Sequence, residues 1–413
     1  MKAIETRAEQ FAHRLEAISA KAAAIYRKCY VSTADTALKL LPDGTSFVLT
    51  GDIPAMWLRD SAAQVNHYIP LASDPEVGAA IRGVIRRQLR YIKLDPYANA
   101  FNEEPNGNGW STDLPKPSPW VWERKYEVDS LCYPIKLLYR YWKATGDRSF
   151  AEAELPSVME VILRVWRTEQ RHPEQSDYTF ARMSDVPGVL EECKCHNVGY
   201  TGMIWSAFRP SDDFCTYGYL VPSNMFACVV LGYAAEMLGG SHPLTAEIER
   251  LKSEIGQGIE AYGTVEHPKY GRMYAYEVDG LGNSIVCDDA NIPSLLAVPY
   301  IGYRGCDDET YLNTRRYILS RDNPYYFEGR YARGVGSPHT PKDHIWHMGL
   351  IMQALTAESR AEQEELLAML LSTDAGTDCM HESFHCDDPA VFTRAWFTWP
   401  NALVCELLEM MYE

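Results

Sequence analysis

Three short acidic strings carry side chains able to move protons. In Arg209-Pro210-Ser211-Asp212-Asp213 two carboxyls stand side by side. Like charges that close raise the pKa of at least one when burial limits screening, and a raised pKa keeps a general acid protonated near neutral pH. Phe208, Phe214 and Tyr217 favour such burial, whereas two solvated Asp residues in a turn approaching a helix are the plainer reading. Spacing does not separate Asp212 from Asp213. Trp57-Leu58-Arg59-Asp60-Ser61 joins an indole, a guanidinium and a carboxylate. The two charged groups satisfy vicinal hydroxyls in fork geometry and the indole covers an apolar ring face, or the pair is a structural ion pair beside a packed Trp. His381-Glu382-Ser383-Phe384-His385 matches H-E-x-x-H, which on a helix would hold zinc. The turn-rich residues before it and Cys386-Asp387-Asp388-Pro389 after it stop a helix. That leaves Glu382 as a metal-free general base for water, tuned by a histidine.

Further acceptors for hydroxyls are Glu123, Glu127 and Asp129 in WERKYEVDS, and Asp288, Asp289 and Asn291 in DDANIP. Their plainer roles are ion pairing with Arg124 and Lys125, or helix capping. His339, in the glycine-rich GVGSPHT, either donates to a hydroxyl or caps.

Helices must position these strings. Apolar residues at three-and-four spacing predict helices over Glu5–Tyr30, Glu76–Leu94, Asp129–Thr145, Phe150–Gln170, Asn224–Leu238, Ala246–Tyr262, Asp308–Leu319, Ile345–Leu355, Glu362–Leu371 and Asn401–Met411. Shorter ones begin near Ser61 and Pro293, making about twelve. Strand-like stretches are brief: SFVLT before Gly51, YTFARM near Tyr178 and RMYAYEVDG. Polar–aromatic clusters precede every second helix, six in all. The pattern predicts an all-α, single-domain (α/α)6 barrel over 1–413, with small β-hairpins in its loops and the N-termini of inner helices at one mouth. Capping accounts for Ser61, Ser223 and Asn291, but not for a Trp, an Arg and extra acids beside nearly every cap.

Composition narrows the partners. A net charge of −17 repels a phosphate backbone or an anionic membrane surface, so neither nucleic acid nor membrane is expected, and a neutral ligand is not penalised. Aromatic residues reach 12%, enough for core packing and for platforms under flat apolar ligand faces. No run of about 18 apolar residues predicts a membrane span. The N-terminus reads as an amphipathic helix rather than a secretory signal. Eleven cysteines scattered through apparent core segments suit free thiols in a reducing, cytoplasmic setting. Cys193, Cys195 and His196 offer three donors with no second pair at zinc spacing, so no metal or other cofactor is expected.

Taken in order, the strings GDIPAMWLRDS, DPYANAFN, WERKYEVDSLCYP, MIWSAFRPSDD, YLVPSNMFA, EVDGLGN, DDANIPSLL, SPHT, MHESFH and RAWF resemble glycoside hydrolase family 125, exo-acting α-1,6-mannosidases on an (α/α)6 barrel. The resemblance runs from about Tyr30 to the C-terminus. It implies inverting hydrolysis of a mannose-containing oligosaccharide or N-glycan fragment. Asp212 would be the general acid and Glu382 the general base, with carboxyls roughly 6.5–9.5 Å apart to admit water. It also implies that Trp57, Arg59, Asp60, Glu127, Arg209, Asp213, Asn224, Asp289, His339 and Trp396 line the sugar subsites. The loop EECKCHN, His347 and Pro400 depart from the family pattern and bear on linkage preference rather than chemistry. A non-catalytic glycan-binding barrel and a zinc hydrolase using His381, Glu382 and His385 are the competing readings.

Overall fold

A computed structural model describes residues 1–413 except 111 and 185–188. Helices dominate it, and seven sheets of two or three short antiparallel strands lie between them. Twelve helices are named α1 to α12 in chain order: Ala20–Thr36, Leu58–Asn66, Pro75–Leu94, Val128–Thr145, Leu155–Glu169, Val221–Leu238, Thr245–Tyr262, Val298–Ile301, Glu309–Ile318, His347–Leu355, Arg360–Ser372 and Thr398–Tyr412. Even-numbered helices pack on one another: α2 on α4, α4 on α6, α6 on α8, α10 on α12, and α12 back on α2. Between α8 and α10 the segments leading into them meet, Ala290 N–H donating to the Gly336 carbonyl at 3.1 Å. Odd-numbered helices lie outside, with α1 on α12, α3 on α2 and α4, α7 on α6, and α11 on α10. A further helix, Lys2–Glu16, covers α1.

Several expected boundaries move. The segment Glu5–Tyr30 is two helices, because Ser19 stops the first and caps the second by accepting from the Ala22 N–H. Phe150–Gln170 likewise breaks at Glu154 into Ser149–Ala153 and α5, with Pro156 in the new first turn. No helix begins at Pro293. Asp288 accepts from Leu295 and Leu296 N–H at 2.8 and 2.9 Å, fixing an irregular turn, and the short α8 follows only at Val298. Of the brief strands, YTFARM contributes Ala181–Met183, while RMYAYEVDG divides into Gly271–Tyr274 and Glu277–Val278 in separate sheets.

α6 corrects the expectation about apolar runs. Its 18 residues, of mean hydropathy 1.3, would suffice by length and composition to cross a membrane, yet 72% of that stretch is buried by the surrounding helices. A helix that is apolar all round is what a central position demands.

Side-chain caps are confined to outer helices, although outer α5 and α7 have none. Outer α1, α3, α9 and α11 are capped by the side chains of Ser19, Asp74, Asp308 and Ser359. Inner α2, α4, α6, α10 and α12 carry no side-chain cap: Trp57, Glu127, Leu220, Trp346 and Phe397 precede them in extended conformation. Contrary to the capping expectation, Ser61 and Ser223 lie inside helices. Backbone and neighbouring loops tie these ends instead. Leu58 N–H donates to the Asn99 carbonyl at 3.0 Å, Val221 N–H to that of Tyr276 at 2.9 Å, and Val128 N–H to the Ser206 hydroxyl at 3.3 Å.

Candidate active site

The strand Met56–Trp57 pairs with Ala100–Phe101, which pairs with Val121–Glu123. This small sheet delivers Trp57, Asn99 and Glu123 to one place, and the first turn of α2 adds Arg59 and Asp60. Arg59 is 2% exposed and faces four carboxylates. Its Nη1 donates to Glu127 at 2.5 Å and to Asp129 at 3.4 Å, its Nε lies 3.4 Å from Asp60, and its Nη2 lies 3.7 Å from Asp212. Burial pushes the Asp60 carboxyl up to about 6 despite the guanidinium beside it, and pushes Glu127 well above the usual range.

Asp212 sits at φ +66°, in a turn closed by Asp212 N–H on the Arg209 carbonyl and Arg209 N–H on that of Asp213. Asp tolerates this left-handed region better than most residues, and the turn holds its side chain toward the cavity. Lys125 Nζ donates to its carbonyl at 2.8 Å and Asn99 Nδ2 to its Oδ1 at 3.1 Å. Burial alone would raise this carboxyl, but Lys125 and Arg59 outweigh it and hold Asp212 below the usual carboxylate range.

Glu382 comes from the other side, immediately before the strand Ser383–His385, which is sandwiched between His344–Trp346 and Asp388–Thr393. Arg394 reaches it, Nη1 to Oε1 at 3.4 Å, while also donating to Asp52 and to the Thr50 carbonyl. Gly51, at φ +96°, brings that turn against the chain before α12; a Cβ there would collide with the Trp396 carbonyl oxygen.

Asp212 and Glu382 open onto one cavity of about 180 Å³, lined also by Trp57, Arg59, Asp60 and His339. Ligand clefts of drug size run roughly 300–1,000 Å³, so this one suits a single small polar ring. Asp213 lies at its edge, 3.4 Å from His339 Nδ1 and accepting from the Ser211 hydroxyl at 3.1 Å.

The other expected residues stand elsewhere. Glu127 is buried beneath the cavity floor with all its contacts internal. Arg209 pairs with Glu277 at 2.6 Å, and Asp289 lies buried behind Asn291, whose N–H donates to it at 3.2 Å. Asn224 spends its amide on backbone, accepting from Ile204 N–H at 2.7 Å and donating to the Ile204 and Leu220 carbonyls at 3.0 Å. Trp396 turns outward, its indole N–H on Thr36. Within RAWF it is Arg394 and Phe397 that line the cavity, the guanidinium lying 4.2 Å from the ring centroid. Asp52, Ser211, Asn291 and Trp346 also line it. An Arg three residues before the aromatic helix-start Phe397 was the available signal for Arg394; Asp52 had none.

His381 and His385 do not form a zinc pair with Glu382, because the segment is extended rather than helical. His381 stacks on Phe392 at 3.8 Å and meets the Thr377 hydroxyl at 3.1 Å, while His385 lies edge-on to His344. Among the described residues, the group close enough to share an ion is the consecutive His385, Cys386 and Asp387, which includes neither His381 nor Glu382. Cys193 and Cys195 lie 3.4 Å apart, but His196 turns to His172 at 2.7 Å, which Glu169 holds from its other side.

Residues 19–409 match the glycoside hydrolase family 125 profile, described as metal-independent α-mannosidases. A metal-independent α-mannosidase of Streptococcus pneumoniae, solved in a non-productive complex with α-1,6-mannobiose, is 44% identical with a TM-score of 0.93, over 100% of this chain and 98% of that one. The meiotically up-regulated gene 157 protein of Schizosaccharomyces pombe is 38% identical over 98% of this chain and 85% of its own length. A glucoamylase from Saccharomycopsis fibuligera, 11% identical with a TM-score of 0.56 over 89% of each chain, shares the fold alone.

Proposed function

The chain belongs to glycoside hydrolase family 125, the metal-independent α-mannosidases, and from that membership we propose an exo-acting, inverting enzyme that removes terminal α-1,6-linked mannose from oligosaccharides such as N-glycan fragments. The observation carrying this is that Asp212 and Glu382, 170 residues apart in the chain, open onto one cavity sized for a single ring. A cavity of that size takes the chain-terminal sugar and leaves the rest of the glycan outside. The α-1,6 preference follows the disaccharide held by the Streptococcus pneumoniae relative. The even-numbered helices form the inner ring of an (α/α)6 barrel, one catalytic unit, with the cavity at their N-terminal ends.

Asp212 gives its proton to the glycosidic oxygen as the bond to C1 breaks, and the bonding electron pair leaves with that oxygen. Glu382, steadied by Arg394, takes a proton from water attacking C1 on the opposite face, so the first product is β-mannose. Arg59, Asp60 and His339 offer donors and acceptors to the ring hydroxyls, and Trp57 an apolar wall. All eleven cysteines are free thiols, which supports work in a reducing compartment, the cytoplasm.

Asp212→Asn and Glu382→Gln are each expected to lower turnover of α-1,6-mannobiose by about 10²–10⁴-fold while leaving the fold intact, the usual contribution of one acid or base. Proton NMR of the first minutes of wild-type hydrolysis is expected to show β-mannose. Initial release of the α-anomer would exclude inversion.

A further inference from the structure

Glu127 is fully buried and touches no ligand position, yet it lies against the proposed proton donor. Around it acids outnumber cations. Arg59 is shared by Asp60, Glu127, Asp129 and Asp212, with Lys125 also acting on Asp212 and Arg394 on Asp60. Glu123, next along, is shared by Lys125 at 3.6 Å and Arg182 at 2.6 Å, and Arg182 is already held by Asp113. Six acids, Asp60, Glu127, Asp129, Asp212, Glu123 and Asp113, share Arg59, Lys125 and Arg182, with Arg394 and His339 on the cavity side, and low dielectric constant favours a proton on the most deeply buried of them. Glu127 and Asp212 both accept from Asn99 Nδ2, at 3.4 and 3.1 Å, and both face Arg59, which sets the two carboxyls side by side.

We propose that Glu127 and Asp212 hold one proton between them, and that Glu127 is the positioning residue that stores it and yields it to Asp212 when the sugar is seated. This rests on the reading of Asp212 as general acid. In the empty cavity water reaches Asp212, whose side chain is 24% exposed, and favours its charge, while the wholly buried Glu127 keeps the proton. A seated sugar displaces that water and makes Asp212 the better proton holder. The charge then falls on Glu127, where Arg59 at 2.5 Å and the Ser130 hydroxyl at 2.7 Å receive it. Asp212 passes the proton to the leaving oxygen; after product release the proton that Glu382 took from water returns through solvent, and the pair is refilled. Burial pushing Glu127 up while Lys125 and Arg59 pull Asp212 down is the order this storage needs. His339 on the cavity side and Tyr178 behind Glu127 are the other ionisable groups facing the pair.

Glu127→Gln keeps the shape and removes the store. The test compares pH profiles of kcat/KM on α-1,6-mannobiose with those on α-mannosyl fluoride, whose leaving group needs no proton. Without the Glu127 charge, Arg59 acts on Asp212 undivided, so the descending basic limb on mannobiose should move at least one pH unit lower. Mannobiose hydrolysis at neutral pH should fall at least about 100-fold and fluoride hydrolysis less than about tenfold. Should this variant not fold, Glu127→Asp, with the same charge on a shorter side chain, meets the same pair of substrates: a larger loss on mannobiose supports the shared proton. Equal losses on both substrates, or an unmoved basic limb, overturn it. Wild-type protein inactive on both would overturn the mannosidase reading itself, and the storage role with it.

Discussion

Asp60 lends itself to a measurement of stability against pH. Its side chain, 4% exposed, is pushed by burial from the ordinary 3.8 up to about 6, even with Arg59 3.4 Å away. Because the folded-state pKa is the higher one, the protonated form's contribution to stability is fully present below about pH 3.8 and is lost as pH rises through about 6. A rise of about 2.2, at roughly 1.4 kcal/mol per pH unit, makes that loss about 3 kcal/mol at pH 7. Asp60→Asn has the shape of the protonated acid and never ionises. It should therefore be about as stable as wild type at pH 4, and more stable by up to about 3 kcal/mol at pH 7. For 413 residues the melting entropy is roughly 0.9 kcal/mol per degree, so Tm at pH 7 should rise by about 3 °C. The assay is thermal unfolding of both proteins across pH 4–8, with mannobiose turnover measured in parallel. Turnover should fall, since Asp60 lines the cavity. A variant that is less stable at pH 7, or whose difference from wild type does not grow with pH, would refute the idea that burial dominates this carboxyl.

Asn224→Ala should behave in the opposite way. It leaves one buried N–H and two carbonyls unpaired and should cost about 3 kcal/mol, with turnover per folded molecule retained; a raised KM with unchanged stability would put Asn224 back among the ligand contacts. His339 is raised to about 9: burial works against its charge, but the hydrogen bond and charge of Asp213 outweigh it, with Asp212 and Glu382 adding to the effect. It should carry its proton at neutral pH and lose it only as pH rises through about 9. In Asp213→Asn its imidazole NMR titration should move at least one pH unit toward the ordinary 6.5, and an unmoved titration would mean that Asp213 does not hold it.

The helices were legible because burying one face imposes a period on sequence, and most errors were of one or two residues at the ends. Interruptions at Ser19 and Glu154 escaped because the apolar spacing runs on across them, although Ser19 is an ordinary cap. Four of the six outer helices, α1, α3, α9 and α11, obey the Ser and Asp capping preference; α2, α4 and α6 inside do not, since short strands and loops already bond their first N–H groups. Hence Ser61 and Ser223 looked like caps and lie inside helices. The same difference divides the site. Trp57, Arg59 and Asp60 were legible as a group because a guanidinium, an acid and an indole stand together beside a helix start, and the structure gives Arg59 both uses, an internal ion pair and a place on the cavity wall. Asn224 and Trp396 share that sequence context, and only the direction of the side chain separates them from true lining residues. At the start of α12 one step along the chain decides between the exposed Trp396 and the buried Phe397.

The charge arrangement explains why so much of the chain is devoted to a cavity for one ring. Gathering Asp60, Glu127, Asp129 and Asp212 around one guanidinium destabilises the folded state, because low dielectric strengthens their mutual repulsion and removes hydration together. That same repulsion keeps a proton on a carboxyl at a pH where a solvated acid would have lost it. A second Arg59, or its absence, would therefore fail in different ways. An added cation would stabilise the fold and drain the proton that the proposed mechanism uses. Removing the existing one would leave buried charges uncompensated, at about 3–5 kcal/mol. One fork-shaped cation among four acids lies between these limits, and the stability it forgoes is supplied by the continuous apolar core that α6 runs through.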